Sequence, residues 1–447
     1  MAVGGARAKL SVLYLAFAML PLASVVASAA AHPTSAFVRQ ARPLHSRSQL
    51  LALSGGGAGQ PVGQTPITSL LELCKEACDE LSVLVRLVYA GMRAEDAALK
   101  ADKSVFTIAD GLVQHLLQTT LLREDVLCAI VGEEDSIVNV LQRPYTVDAL
   151  PVPEALWPVV DSARAKLLEL SAKLGSDPAL RLLTAFVDPI DGTREFTERL
   201  GEMCTICIGF SEGEKPIGGL VYRPLTTPAS WAYGCEREGT ARSQLLATKE
   251  ALAVVVSSPI EGEPRAPADG QIGDVPISDI RLLVSRGSLS PFLRALGRQL
   301  PAQLVRSGGA GNKALLLLEG AADCYIQDRG LFRWDTCASQ AVLEAHGGVL
   351  VKLTALASRG ELESYRYEKT VLQLDFEPGL VRLSAYNAAN RNSLSKGAVQ
   401  FAESAEQTKP YANVCGVCAL APRVAGNVGE FSAAVARARD EHEWEIS

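Results

Sequence analysis

Apolar positions in the stretch that opens at Thr65-Pro66 recur at 70, 73/74, 77/78, 81, 84/85 and 88. That spacing follows the 3.6-residue turn and predicts one amphipathic helix with a single buried face. Thr65 suits the cap and Pro66 the first turn. A second helix is predicted at roughly 110–122, followed by the apolar strand Val126-Leu-Cys-Ala-Ile-Val131 and a helix over 155–174. The strand Leu183-Thr-Ala-Phe-Val187 then runs directly into Asp188. Strands recur near 203–210, 216–222 and 253–257. Residues 258–280 are rich in Pro, Gly and acid, which places a domain boundary there. Beyond it come a strand at 281–285, helices at 290–299 and 311–320, a strand at 323–327, a helix at 335–346 and a strand at 348–353. Such alternation predicts an α/β second half.

A chain of 447 residues suffices for two core-forming domains. With 48% hydrophobic and 21% charged residues it is neither disordered nor collagen-like nor a coiled coil. The net charge of −7 is unevenly spread: five basic residues precede the first acid, Glu72, and the other 376 residues carry −12. No basic face is expected, which excludes polymeric nucleic acid as a partner. Arg7 and Lys9 precede the uncharged Leu10–Ala31, which ends in small residues, as a secretory signal does. The basic, acid-free segment from Phe37 to Gln64 resembles a transit peptide, so residues 1–64 read as a bipartite leader for the secretory pathway and a plastid. A Golgi or ER-lumen destination, or an uncleaved membrane anchor, stays open, because 22 uncharged residues are enough to span a bilayer.

Ten cysteines do not form a disulfide framework in this reading. Cys204 and Cys207 lie three apart in a predicted strand, on opposite faces. Cys74 and Cys78 share a helix face and read as small core residues. The Cys415/Cys418 pair keeps an open redox reading. Five histidines, two of them in the leader, leave little for histidine chemistry.

Four carboxylate clusters sit at predicted element ends: Thr107-Ile-Ala-Asp110, Gly132-Glu133-Glu134-Asp135, Asp188-Pro-Ile-Asp191-Gly-Thr193 and Trp334-Asp335-Thr336. Side chains there converge on clefts, and oxygen-rich sets with few histidines suit hard cations such as Mg²⁺. Any one of them alone is an ordinary turn or cap; four in this order point to a site. The run Gly308-Gly309-Ala310-Gly311 opens a predicted helix, lets backbone approach a phosphate, and is followed by Lys313.

The pattern D…GEE…DPIDGT…WD-x11-GG resembles the lithium-sensitive, magnesium-dependent phosphatases that include inositol monophosphatase, over about 67–355. Within that family, Asp191-Gly-Thr-Arg-Glu-Phe-Thr197, Ser307-Gly-Gly-Ala-Gly-Asn-Lys313 and Trp334-Asp-Thr-Cys-Ala338 resemble the 3′(2′),5′-bisphosphate nucleotidase branch. The resemblance implies a mixed α/β fold, a layered αβαβα sandwich of two subdomains (65–260 and 261–420, with 421–447 a tail) and an active site between them. It implies Glu133, Asp188 and the Ile190 carbonyl as ligands of one Mg²⁺, and Asp188, Asp191 and Asp335 as ligands of a second. Glu134 would support the site through water or a third ion, and Asp110 with Thr193 would orient and deprotonate the attacking water. Gly192, Thr193, Ser288, Gly309, Gly311 and Lys313 would hold substrate. The implied reaction is release of the 3′-phosphate of adenosine 3′,5′-bisphosphate, with its sulfated precursor a further substrate. Two rivals are a phosphatase for inositol mono- or polyphosphates and an inactive nucleotide-sensing member; the retained acids speak against the latter. Two places depart from the branch: Ser285-Arg286-Gly287-Ser288 stands for Arg-Ser-His-Ser, and Ile108 for a Lys. Residues 356–447 contain stretches that do not align.

Overall fold

A computed structural model describes residues 67–441 less several internal stretches, chiefly 93–97, 100–104, 146–151, 259–270 and 368–410. Residues 1–64, read above as a leader, the expected Thr65-Pro66 helix start, Asp135 and Cys415 lie outside the described residues.

The predicted first helix is α1, Ile67–Gly91. Its apolar stripe, with Leu70, Cys74, Ala77, Cys78, Leu81 and Val85, is fully buried. Removing such side chains from water contributes about 1.5–3 kcal/mol each for the larger ones. Cys74 and Cys78 are therefore core residues, and burial pushes both thiols well up. With α2 (Ile108–Thr119) and α3 (Trp157–Leu174), α1 covers one face of a six-stranded sheet. That sheet runs β6-β5-β4-β3-β2-β1, where β1 is Ala129–Gly132, β2 Leu183–Asp191, β3 Thr205–Glu212, β4 Lys215–Arg223, β5 Ser230–Cys235 and β6 Thr240–Gln244. Neighbours are antiparallel except β1 and β2. A short helix, α4 (Thr193–Thr197), follows β2.

The second sheet runs β7-β9-β8-β10-β12-β11, with β7 at Val256–Ser258, β8 Arg281–Ser285, β9 Gln303–Ser307, β10 Cys324–Gln327, β11 Val349–Lys352 and β12 Val417–Leu420. Between the sheets lie α6 (Ala310–Leu318) and α7 (Arg333–Ala345). Cys207, Val221 and Ala232 of the first sheet meet Leu315, Ala338 and Val342 of these helices in one buried cluster. Outside the second sheet lie α5 (Pro291–Gln299), α8 (Leu353–Arg359) and α9 (Gly429–Glu441). The order helix, sheet, helix, sheet, helix bears out the expected layering.

Several boundaries differ from expectation. Val126 and Leu127 are not in β1: their N–H groups bond to the Arg123 carbonyl in a turn, while their side chains stay in the core. The second sheet begins at β7, before the Pro/Gly-rich stretch rather than after it. Residues beyond 420 are no loose tail, because α9 packs on α5 and buries Phe431, Ala434, Val435 and Ala438. Cys418 sits fully buried in β12, between β10 and β11, and burial raises its thiol well above the usual range. Among the described residues no helix is long and apolar enough to cross a membrane.

Candidate active site

The site begins with an irregularity in β2. Asp188 stands opposite Cys207 of β3, yet Asp191 stands opposite Thr205, so β2 uses three steps where β3 uses two. Pro189 cannot donate to the ladder, and the extra residue is accommodated as a bulge. In a regular strand, residues three apart face opposite ways. The bulge restores parity, and both aspartates point to the same face, over Thr205 and Cys207. Gly192, at φ +89°, then turns the chain into α4.

Asp335 arrives from α7, in its first turn, where Oδ2 accepts the Phe332 N–H at 2.7 Å. One carboxylate oxygen from each of Asp188, Asp191 and Asp335 lies within 4.8 Å of the others. Glu133, just past β1, lines the same cleft of about 490 Å³. Burial, then the charges of Glu133, Asp191 and Asp335, push Asp188 well above the carboxylate range. Burial and the charge of Asp191 raise Asp335 to about 8. Burial raises Asp191 too, held back by the Thr205 hydroxyl and the Ala310 and Gly311 amides. Among the described residues, Asp188 Oδ1 is buried with no hydrogen-bond partner. An oxygen-only set of mutually repelling carboxylates with an unsatisfied buried oxygen fits a hard divalent cation.

Asp110, fully buried in the first turn of α2, accepts at Oδ2 from the Thr107 N–H (2.8 Å) and hydroxyl (2.6 Å). Its Oδ1 lies 3.0 Å from the Thr193 hydroxyl, which is also 3.0 Å from the Ile190 carbonyl. A hydroxyl carries one proton, so a charged Asp110 is the stronger acceptor of the two. Glu134 is buried outside the cleft lining, its N–H donating to Gln114 Oε1 at 2.9 Å.

The glycine run has a task besides the expected one. The Ala310 N–H donates to Asp191 Oδ1 at 2.8 Å and the Gly311 N–H to Oδ2 at 2.7 Å, so the start of α6 holds a carboxylate of the chain itself. The helix N-terminus favours that negative charge, as it would a phosphate. Gly311 does not line the cleft; a Cβ there would stand 2.5 Å from Cys207 Sγ, so only glycine lets α6 lie on β3. Gly309, at φ +63°, does line it, and a Cβ would meet the Met203 carbonyl at 2.5 Å. Lys313 lines the cleft from below, its Nζ donating to Ser285 Oγ (3.0 Å) and Gln327 Oε1 (2.9 Å). Burial pulls its ammonium down to about 8, against the opposing charges of Asp191 and Glu195.

Gly192 and Thr193 also line the cleft, whereas Ser288 is exposed and stands outside it; Ser285, at the end of β8, takes that place. Arg286 lines it too, paired with Glu198 (2.8 Å) and Glu195 (3.2 Å) of and after α4. Gln327, Phe332 and Trp334 are among the other lining residues that sequence reasoning did not assign. Gln327 closes a predicted strand, so the strand-end position that marked the aspartates was a signal for it as well.

Residues 70–376 match the inositol monophosphatase family. A 3′(2′),5′-bisphosphate nucleotidase 1 of Dictyostelium discoideum is 35% identical over 289 residues, 64% of this chain and 85% of that one. The Homo sapiens protein of the same name is 29% identical over 250 residues, 55% of this chain and 71% of its own. A putative inositol monophosphatase 3 of Drosophila pseudoobscura pseudoobscura is 26% identical over 248 residues, 56% of this chain; the match spans 59% of that protein's length.

Proposed function

The chain belongs to the inositol monophosphatase family, and from that premise we propose that it is a Mg²⁺-dependent phosphatase that removes the 3′-phosphate of adenosine 3′,5′-bisphosphate. The observation that carries the reading is the convergence of Asp188, Asp191 and Asp335 on one cleft with the buried Asp110–Thr193 pair beside it. Glu133, Asp188, Asp191, Asp335 and the Ile190 carbonyl are the groups that would hold the ions, with Glu134 supporting them from behind. Bound there, Mg²⁺ supplies charge neutralisation of the phosphate and a low-pKa water. The protein's own contribution is alignment and proton handling. The Thr193 hydroxyl donates to Asp110, which turns its lone pairs toward the cleft, where one accepts from the attacking water. Asp110 Oδ1 receives the proton relayed by that hydroxyl. Gly192 and Gly309 let substrate approach the backbone, and Lys313, between Ser285 and Gln327, faces the anionic end of the nucleotide. No covalent phosphoenzyme is required.

The branch motifs, and the nucleotidase named at 35% identity, support the nucleotide substrate. Phosphate release from adenosine 3′,5′-bisphosphate, with and without Mg²⁺ and Li⁺, tests it: Mg²⁺-dependent, Li⁺-inhibited release is expected. No release alongside brisk hydrolysis of inositol phosphates would transfer the reading to the rival supported by the inositol monophosphatase 3 relative. We also propose that residues 1–64 address the protein to the secretory pathway and a plastid; a fluorescent tag on residues 1–70 that stays cytosolic would refute this.

A further inference from the structure

The deepest charge in the first sheet is Arg223, at the end of β4, whose side chain is fully buried together with that of Glu319 at the end of α6. All five of its N–H donors are used. Nη1 reaches Glu319 Oε1 (2.5 Å) and Ser230 Oγ (3.0 Å), Nη2 reaches Glu319 Oε2 (3.0 Å) and the Asn312 carbonyl (3.4 Å), and Nε reaches Asn312 Oδ1 (2.9 Å). Because Nε can only donate, Asn312 must present its oxygen to Arg223 and its NH₂ to the other side. There Nδ2 donates to Ser307 Oγ at 3.0 Å and to the Gly308 carbonyl at 2.8 Å. Gly308 opens the turn through Gly309 that delivers the Ala310 and Gly311 amides to the two oxygens of Asp191. One uninterrupted chain of hydrogen bonds and covalent turn thus runs from Arg223 through Asn312 and the glycine turn to a cleft carboxylate.

We propose that Arg223 and Asn312 are positioning residues for Asp191, fixing its carboxylate for a divalent cation from outside the cleft. The proposal rests on the phosphatase reading only in taking Asp191 as an ion ligand. The turn is otherwise held by the Lys313 N–H on the Gly309 carbonyl (3.2 Å) and, just before it, by the Ser307 hydroxyl on the Val254 carbonyl (3.2 Å). Gly308 and Gly309 themselves lack side chains, and Gly309 holds a positive φ, so Asn312 is the side chain that grips the turn from the Arg223 side. Without the Asn312 clamp, the two amides lose their common aim, and Asp191 gains freedom that ion binding must then remove. Partners behind metal ligands typically change affinity by about 10–100-fold when lost.

The test is a Mn²⁺ titration of the full-length protein, following the free-ion paramagnetic resonance signal, with thermal midpoints recorded in EDTA. Two variants are compared with wild type: Asn312→Leu, close in volume, and the paired Arg223→Met/Glu319→Leu, which leaves no buried charge alone. Both are expected to bind Mn²⁺ about tenfold more weakly, and phosphate release from either should recover toward wild type as the ion is raised. A merely structural network would instead lower the active fraction at every ion concentration. Unchanged Mn²⁺ affinity in either folded variant, or no Mn²⁺ binding by wild type, overturns the proposal. Release from adenosine 3′,5′-bisphosphate by wild type, measured in parallel, judges the substrate reading separately.

Discussion

Two buried charge clusters lie on the two sides of α6, and they are built on opposite principles. At its C-terminal end Arg223 and Glu319 form a neutral pair, with every Arg donor taken and Glu319 also accepting the Leu246 N–H at 3.1 Å. Such a pair recovers its desolvation only because its geometry is complete. At the N-terminal end, Asp188, Asp191 and Asp335 are carboxylates of one sign, two of them strongly raised, with Asp188 Oδ1 unsatisfied. Among the described residues no partner completes Asp188 Oδ1; Lys313, the buried cation beside the cluster, is itself bonded to Ser285 and Gln327. A closed cluster of charge is scaffold, and an open one stores a demand for an external cation.

The largest effect should come from closing the open cluster. Asp188→Asn is expected to lower phosphate release by at least about a thousandfold, since it removes a proposed ion ligand. It should also raise the thermal midpoint in EDTA, because like-charge repulsion is relieved. Steady-state assay and calorimetry on one preparation read both, and a midpoint that falls would show the triad to be stabilising on its own. Opening the closed cluster comes next. Arg223→Met alone should cost about 3–5 kcal/mol in urea unfolding by stranding Glu319, whereas adding Glu319→Leu should recover most of it. Equal losses for the single and double variants would contradict the neutral-pair account. Thr193→Val should lower kcat by about 10²–10⁴-fold, since it breaks the route to Asp110, with a much smaller change in Mn²⁺ affinity, because its hydroxyl touches only the Ile190 carbonyl of the proposed ion-binding groups. A matching loss of Mn²⁺ affinity would place Thr193 in the ion site instead.

The smallest effect tests a carboxyl outside both clusters. Burial raises Glu344, on α7, to about 7, although Gln340 donates to it at 2.7 Å. Its folded pKa lies above the unfolded value, so the folded state binds the extra proton between the two. Its contribution is therefore complete below about pH 4.5 and lost as pH rises through about 7. Glu344→Gln should flatten that part of the stability profile, and an unaltered profile would assign the slope to other groups.

Much of this was legible in the chain. The helical rhythm of α1 and the strand that starts at Leu183 need only local periodicity, and both stand where the pattern put them, although β2 runs on past Asp188 to Asp191. The four acid clusters were visible because each lies at an element end. β12 was not legible: Val417-Cys-Ala-Leu420 is a four-residue apolar run with no period of its own, and its place between β10 and β11 depends on partners far away in the chain. The α5–α9 contact was hidden for the same reason.

By itself, then, the sequence determined which residues carry charge and where several elements lie, because those depend on neighbours within a few positions; that the acids would share one cleft was what the family resemblance implied. Only the tertiary structure decided how each charge is used. The β2 bulge turned Asp188 and Asp191 to one face, and the β3 approach made Gly311 a packing glycine whose amide serves Asp191. Folding across 96 positions made Arg223 and Glu319 partners. Partnership at that separation is a matter of three-dimensional geometry, and no periodicity along the chain encodes it.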